Sequence, residues 1–156
     1  MKIEIGQAAP DFTLYDFAKN KVTLSDQRGQ NVLLLFFPFA FTSTCTAELC
    51  SVRDNISFYD NVNAKVFGIS VDSLYTLAKY KAEQNLNFPL LSDFNKDVST
   101  AYGSIYEMFG YNMKGVSKRS AFVIDKDGVI RYVEILENAS EQPNFKEITL
   151  ILEELK

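Results

Sequence analysis

Residues 32–41 read Val-Leu-Leu-Leu-Phe-Phe-Pro-Phe-Ala-Phe. Val32–Phe37 is apolar at every position, the mark of a strand buried on both faces, where a half-exposed strand would alternate with polar residues. Such a strand needs cover from helices on either side, so the chain is constrained to an α/β layered domain. Pro38 has no N–H to give to a sheet ladder and ends the strand. The run falls well short of the ~20 apolar residues that span a bilayer, and no other segment is longer.

The remaining segments alternate in type. Thr46–Tyr59 has helical spacing of Leu49, Val52, Arg53, Ile56 and Tyr59. Lys65–Val71 reads as a second strand, and Ser73–Gln84 as a second helix with Ser73 as N-cap. Phe88–Leu91 is a short apolar segment ending at Ser92-Asp93, and Asp97–Gly103 a short helix. Arg119–Asp125 and Gly128–Ile135 read as a hairpin around Asp127-Gly128, and Phe145–Leu155 as a closing amphipathic helix. With no repeat, low-complexity run or linker, residues 1–156 form one domain. The order strand–helix–strand–helix, then hairpin and helix, is that of the thioredoxin-like fold, with residues 1–30 as an N-terminal extension.

Composition narrows the chemistry. The chain has no His and two Cys, so His-based triads are excluded and a Cys/His zinc site is disfavoured. No cofactor or metal is expected. The net charge of −4 argues against nucleic acid as a partner, because no excess of cations is present to neutralise phosphates. Met1–Gly6 lacks the basic-then-apolar pattern of a secretory signal. The expected location is therefore the cytoplasm, a reducing compartment in which two cysteines are reactive or structural rather than permanently bridged.

Cys45 follows closely on the exit from the central strand, in Pro38-Phe39-Ala40-Phe41-Thr42-Ser43-Thr44-Cys45. Thr42, Ser43 and Thr44 are all candidate N-caps. Cys45 then sits in the first turn of a helix, where unpaired N–H groups and the positive end of the dipole favour a thiolate. The same N–H groups suit an oxygen that gains charge as an O–O bond breaks.

This segment resembles the Pro-x-x-x-Thr-x-x-Cys motif of the peroxiredoxins, the alkyl hydroperoxide reductase/thiol-specific antioxidant group. Ala9–Leu14, Val22–Asp26, Phe88–Asp93 and Arg119–Asp125 resemble further segments of that family, in order, across nearly the whole chain. The resemblance implies a peroxidase in which Cys45 attacks a hydroperoxide, Thr42 Oγ hydrogen-bonds thiolate and substrate, Arg119 stabilises both, and Pro38 shields the site from water. Glu48 orients Arg119 on this reading, or serves as a capping-box partner in its own turn. Phe39 and Phe41 are core residues that could also line the entrance.

Cys50 is the one other thiol. Within a single helix, five residues advance about 7.5 Å and turn about 140°, leaving the two Cα atoms roughly 8–9 Å apart. Disulfides need less than about 7 Å, so a bond between them requires local unwinding. The spacing resembles the Q-type (bacterioferritin-comigratory) subgroup, which uses this pair as peroxidatic and resolving cysteines. Phe39–Thr42 and Glu48–Asp54 resemble the E-type, in which the resolving Cys is often absent. Cys50 thus resolves Cys45, with a thioredoxin or similar dithiol as reductant, or is a core thiol in a one-Cys enzyme resolved by an external thiol.

A non-enzymatic redox sensor would share the same thiol chemistry. A thiol–disulfide oxidoreductase is disfavoured, because Glu48 stands where Cys-x-x-Cys needs its second Cys. Family resemblance allows a monomer or a tip-to-tip homodimer. The aromatic run Tyr102–Tyr111 is a contact surface, an active-site rim or a satellite of the core.

Overall fold

A computed structural model describes residues 3–156; Met1 and Lys2, part of the segment read above for a signal, lie outside them. The strands are β1 (Thr13–Asp16), β2 (Lys21–Thr23), β3 (Asn31–Phe36), β4 (Ala64–Ser70), β5 (Leu90–Ser92), β6 (Ile105–Tyr106), β7 (Val116–Ser117), β8 (Arg119–Ile124) and β9 (Ile130–Leu136). The helices are α1 (Ser43–Asp54), α2 (Ile56–Asn61), α3 (Leu74–Gln84), α4 (Asp97–Ala101) and α5 (Phe145–Leu155).

Seven strands form one mixed sheet in the order β2-β1-β5-β4-β3-β8-β9. The apolar strand β3 pairs in parallel with β4 and antiparallel with β8, and all of its residues are buried. Its side chains alternate between two cores. Leu33 and Leu35 join Leu49, Val52, Leu77, Tyr80, Ile148 and Leu152 from α1, α3 and α5. Val32, Leu34 and Phe36 face Phe12, Leu24, Val98 and Tyr102 on the other side. This is the thioredoxin-like arrangement expected, and the N-terminal extension completes it by adding β1 and β2 to the sheet beside β5.

The hairpin β8–β9 forms with Gly128 at φ +85°, a conformation that L side chains rarely adopt. Ser73 caps α3 through an acceptor bond from the Thr76 amide. One expectation is corrected. The segment 46–59 is not one helix: α1 ends at Asp54 and α2 begins at Ile56. Asn55 between them has φ −121° and ψ 21°, and its side-chain amide donates to the Ser51 carbonyl at 2.8 Å. That side-chain bond ends the α1 ladder locally, a competition with the backbone that Asn makes readily.

The aromatic run 102–111 divides between environments. Tyr102 is fully buried and donates to the Pro10 carbonyl at 2.6 Å. Met108 and Tyr111 are exposed, while Tyr106 and Phe109 pack together.

Candidate active site

The sheet delivers its central strand to the site and then breaks it. The Phe37 amide still donates to the Ile69 carbonyl, and Pro38 follows. The chain turns at Phe41, whose φ of +68° is uncommon for a bulky residue. Thr42 is extended at the N-cap, and its carbonyl accepts from the Thr46 amide at 3.0 Å. Cys45 therefore occupies the first turn of α1, where backbone N–H groups lack intrahelical partners.

Cys45 is fully buried, and Arg119 from the start of β8 reaches it from across the sheet. Arg119 Nη2 donates to Cys45 Sγ at 3.2 Å, and Nη1 donates to Glu48 Oε1 at 2.7 Å. Nε and Nη2 also donate to the Ala139 carbonyl, at 3.1 and 2.8 Å. The planar guanidinium is thus fixed by three acceptors, which no lysine ammonium could match in geometry. Burial alone would lower the Arg119 pKa, but the neighbouring Glu48 and Cys45 outweigh it and the group is held above its ordinary value.

Glu48 is fully buried, and Oε2 has no partner among the described residues. Burial pushes its carboxyl up to about 7, against the opposing pull of Arg119 and with a further push from Glu134. Of the two placements considered for Glu48, its side chain takes the one beside Arg119.

A cleft of about 240 Å³ opens beside this cluster, lined by Pro38, Phe39, Thr42, Phe109, Arg119 and Ala139 among others. The rings of Phe39 and Phe109 meet edge-on at 6.0 Å. Phe41 lies outside that lining, half-exposed, with its ring 5.0 Å from that of Tyr80. A larger groove of about 540 Å³, between α2 and α5, includes Ser51, Phe58 and Phe145 and no cysteine.

Cys45, Arg119, Glu48, Pro38 and Thr42 are thus brought together. Thr42 Oγ1 donates to the Phe39 carbonyl at 2.9 Å instead of reaching the thiol, so it lines the cleft with its lone pairs free. Cys50 stands apart in a later turn of the same unbroken helix. It is half-buried, with Sγ donating to Gln84 Oε1 at 3.7 Å, and both thiols are free.

Two contributors were not singled out from sequence. The Ala139 carbonyl leaves no side-chain signature. Phe109 sits in an aromatic run that gave no indication of which ring would reach the cleft.

A thioredoxin-like sheet that aims a buried Arg at a thiol in a helix's first turn defines a class of thiol-based redox enzymes. Comparison with known proteins supplies the family. The model of the AhpC/TSA family matches residues 5–133. A putative peroxiredoxin of Mycobacterium tuberculosis is 44% identical over 127 residues, covering 80% of each chain. Alkyl hydroperoxide reductase E of the same organism is 40% identical over 136 residues, covering 85% of this chain and 86% of that one.

Among solved structures, the peroxidoxin BcpB of Mycobacterium tuberculosis superposes with a TM-score of 0.87 at 28% identity, covering 99% of both chains. PrxQ of Xylella fastidiosa gives 0.86 at 25% identity, covering 97% of this chain and 96% of that one. The chain belongs to the AhpC/TSA family, the thiol-dependent peroxidases called peroxiredoxins. Its relatives carry the names of both subgroups that the sequence resembles. No helix among the described residues is long and apolar enough to cross a membrane.

Proposed function

We propose that Cys45 is the peroxidatic nucleophile of a hydroperoxide reductase. The observation that carries this reading is the 3.2 Å bond from a fixed, buried Arg119 to Cys45 Sγ. A positive donor at that distance stabilises the negative charge carried by the attacking sulfur and the oxygens it meets. The thiolate attacks the terminal oxygen of ROOH, an S–O bond forms, the O–O bond breaks, and the leaving RO⁻ takes a proton to give ROH. Cys45 becomes a sulfenic acid. Arg119 and the N–H groups at the start of α1 face the oxygens on which negative charge develops. With no His in the chain, the proton comes from water or the Thr42 hydroxyl. Pro38 and Phe39 screen the cleft from bulk water, and Glu48 holds the guanidinium in place.

Cys50 then resolves the intermediate: its thiol condenses with the sulfenic acid, a disulfide forms and water leaves. A dithiol of the thioredoxin class returns both cysteines to thiols and is itself oxidised. The whole of 1–156 acts as one domain. The reducing cytoplasm fits this cycle, with the chain acting as a monomer or as a dimer joined through loops around the site.

Stopped-flow measurement of peroxide consumption tests the assignment. Cys45→Ser abolishes it, while Cys50→Ser retains the first turnover. A wild-type rate no faster than that of a free thiol removes the enzyme reading in favour of a redox sensor. Mass spectrometry after one equivalent of peroxide shows a Cys45–Cys50 link. A persistent sulfenic acid, or a mixed disulfide with added thiol, would place the chain with the one-Cys enzymes instead.

A further inference from the structure

The turn between β3 and α1 carries much of the cleft and packs through Phe39 and Phe41, yet few hydrogen bonds fix it. Among the described residues, one hydrogen bond joins residues 38–42 to any segment beyond their own turn and helix. The Ala40 amide donates to Asp72 Oδ2 at 2.8 Å. Asp72 lies just past the end of β4, and its own position is fixed on three sides. Ser70 Oγ donates to the same Oδ2 at 2.7 Å, the Asp72 amide donates back to Ser70 Oγ at 3.2 Å, and Ser92 Oγ at the end of β5 donates to the Asp72 carbonyl at 2.6 Å.

The tie falls one residue before the left-handed Phe41. A bulky residue in that region is strained and persists only where its surroundings hold it. Phe39 and Thr42, which flank this pair, line the cleft. The other wall, Arg119 with Ala139, is held by separate bonds. Cys45 is anchored to that second wall through Arg119.

We propose that Asp72 is a positioning residue for peroxide reduction: through the Ala40 amide it holds the Pro38–Thr42 wall of the cleft at the distance from Arg119 that the bound hydroperoxide needs. The inference rests on the assignment of Cys45 above. Asp72 touches neither substrate nor thiol and acts on the register of one wall against the other.

Its loss therefore separates two reactions of one thiol. Peroxide attack needs the O–O bond in line with Sγ between both walls, and small misplacements cost large factors in rate. Alkylation by iodoacetamide needs only the thiolate and access to it. In Asp72→Ala the second-order rate with hydrogen peroxide is expected to fall about 10- to 100-fold. The alkylation rate stays within about threefold, since Arg119 still faces Cys45. Asp72→Asn keeps an oxygen for Ala40 and recovers most of the peroxide rate.

An Asp72→Ala peroxide rate within about twofold of wild type overturns the inference, as does an equal fall in both rates, which marks general loosening. If Asp72→Ala does not fold, Ser70→Ala decides. It removes one support of Oδ2 and lowers the peroxide rate about threefold to tenfold with alkylation unchanged; no such split overturns the proposal. Wild type is measured alongside. If it reduces peroxide no faster than a free thiol, the assignment of Cys45 fails on the wild-type data, whatever the variants show.

Discussion

In the first two turns of α1, Cys45 and Glu48 are sealed from solvent, and one guanidinium reaches both. Further along the same helix, Cys50 is half-buried, and its polar neighbour is the neutral amide of Gln84. This start of the helix is held by charge in a dry setting, where breaking a pair leaves an uncompensated ion. The later turns are held to α3 by neutral or partly exposed bonds. Arg53, whose side chain is partly exposed, donates from Nη1 to the Gln84 carbonyl at 2.6 Å. Neutral bonds contribute only about 0.5–1.5 kcal/mol each, net. Asn55 ends the helix next to this weaker half. The end that holds Cys45 is therefore the more strongly tied, and, with Cys50 as the proposed resolving thiol, its end of the helix is the cheaper one to unwind.

Arg119→Ala should break the contrast most severely. The peroxide rate falls about 10²- to 10³-fold, the usual effect of removing one donor aimed at developing charge. Above pH 7, where Glu48 is ionised, stability falls by about 3–5 kcal/mol as well, because the carboxylate is left buried without its partner. Denaturant unfolding and stopped-flow kinetics read the two losses. Arg119→Lys does not restore the rate, since a single ammonium cannot bridge Cys45, Glu48 and Ala139. A rate within tenfold of wild type in the Ala variant would show that the first turn does not depend on this cation.

Glu48 sharpens the comparison through pH. Burial raises its carboxyl from an ordinary 4.5 to about 7. Between those values the folded protein keeps the proton and the unfolded chain releases it. The contribution is thus fully present below pH 4.5 and is lost as pH rises through 7. At about 1.36 kcal/mol per unit, the effect has an upper bound of about 3 kcal/mol. Glu48→Gln removes that loss. The readout is the difference in unfolding free energy between variant and wild type across the window, which grows towards pH 7. An unchanged difference shows that Glu48 is ionised throughout and tightly paired with Arg119.

Much of the near end was legible from sequence. The unbroken apolar run of β3, the stop at Pro38 and the cap residues before Cys45 are local signals, and they place the thiol correctly. Arg119 and Glu48 were legible through family resemblance, and the structure shows why their pairing works: β8 runs beside β3, which brings Arg119 across to α1. The far end was less legible. Helical spacing continues through Asn55, so the break that frees α1 depends on one side-chain bond to Ser51 that periodicity does not register. Asp72 was missed for a similar reason. A carboxylate after a strand has many uses, and only the tertiary path shows that this one meets the Ala40 amide.

The smallest expected effect is at Gln84, and it tests the far end directly. Gln84→Ala removes the acceptor at Cys50 Sγ but leaves the main-chain carbonyl that Arg53 uses. The native helix loses one weak bond, so the population in which Cys50 is released rises. At about 0.5–1.5 kcal/mol, that is roughly a two- to tenfold faster closure of the Cys45–Cys50 disulfide after peroxide. The initial attack on peroxide is unchanged, because Gln84 lies outside the Cys45–Arg119–Glu48 cluster. Rapid-quench alkylation with mass spectrometry resolves the two steps. A faster first step would mean that the two ends of α1 are coupled after all, and an unchanged second step would mean that unwinding starts from the Cys45 turn.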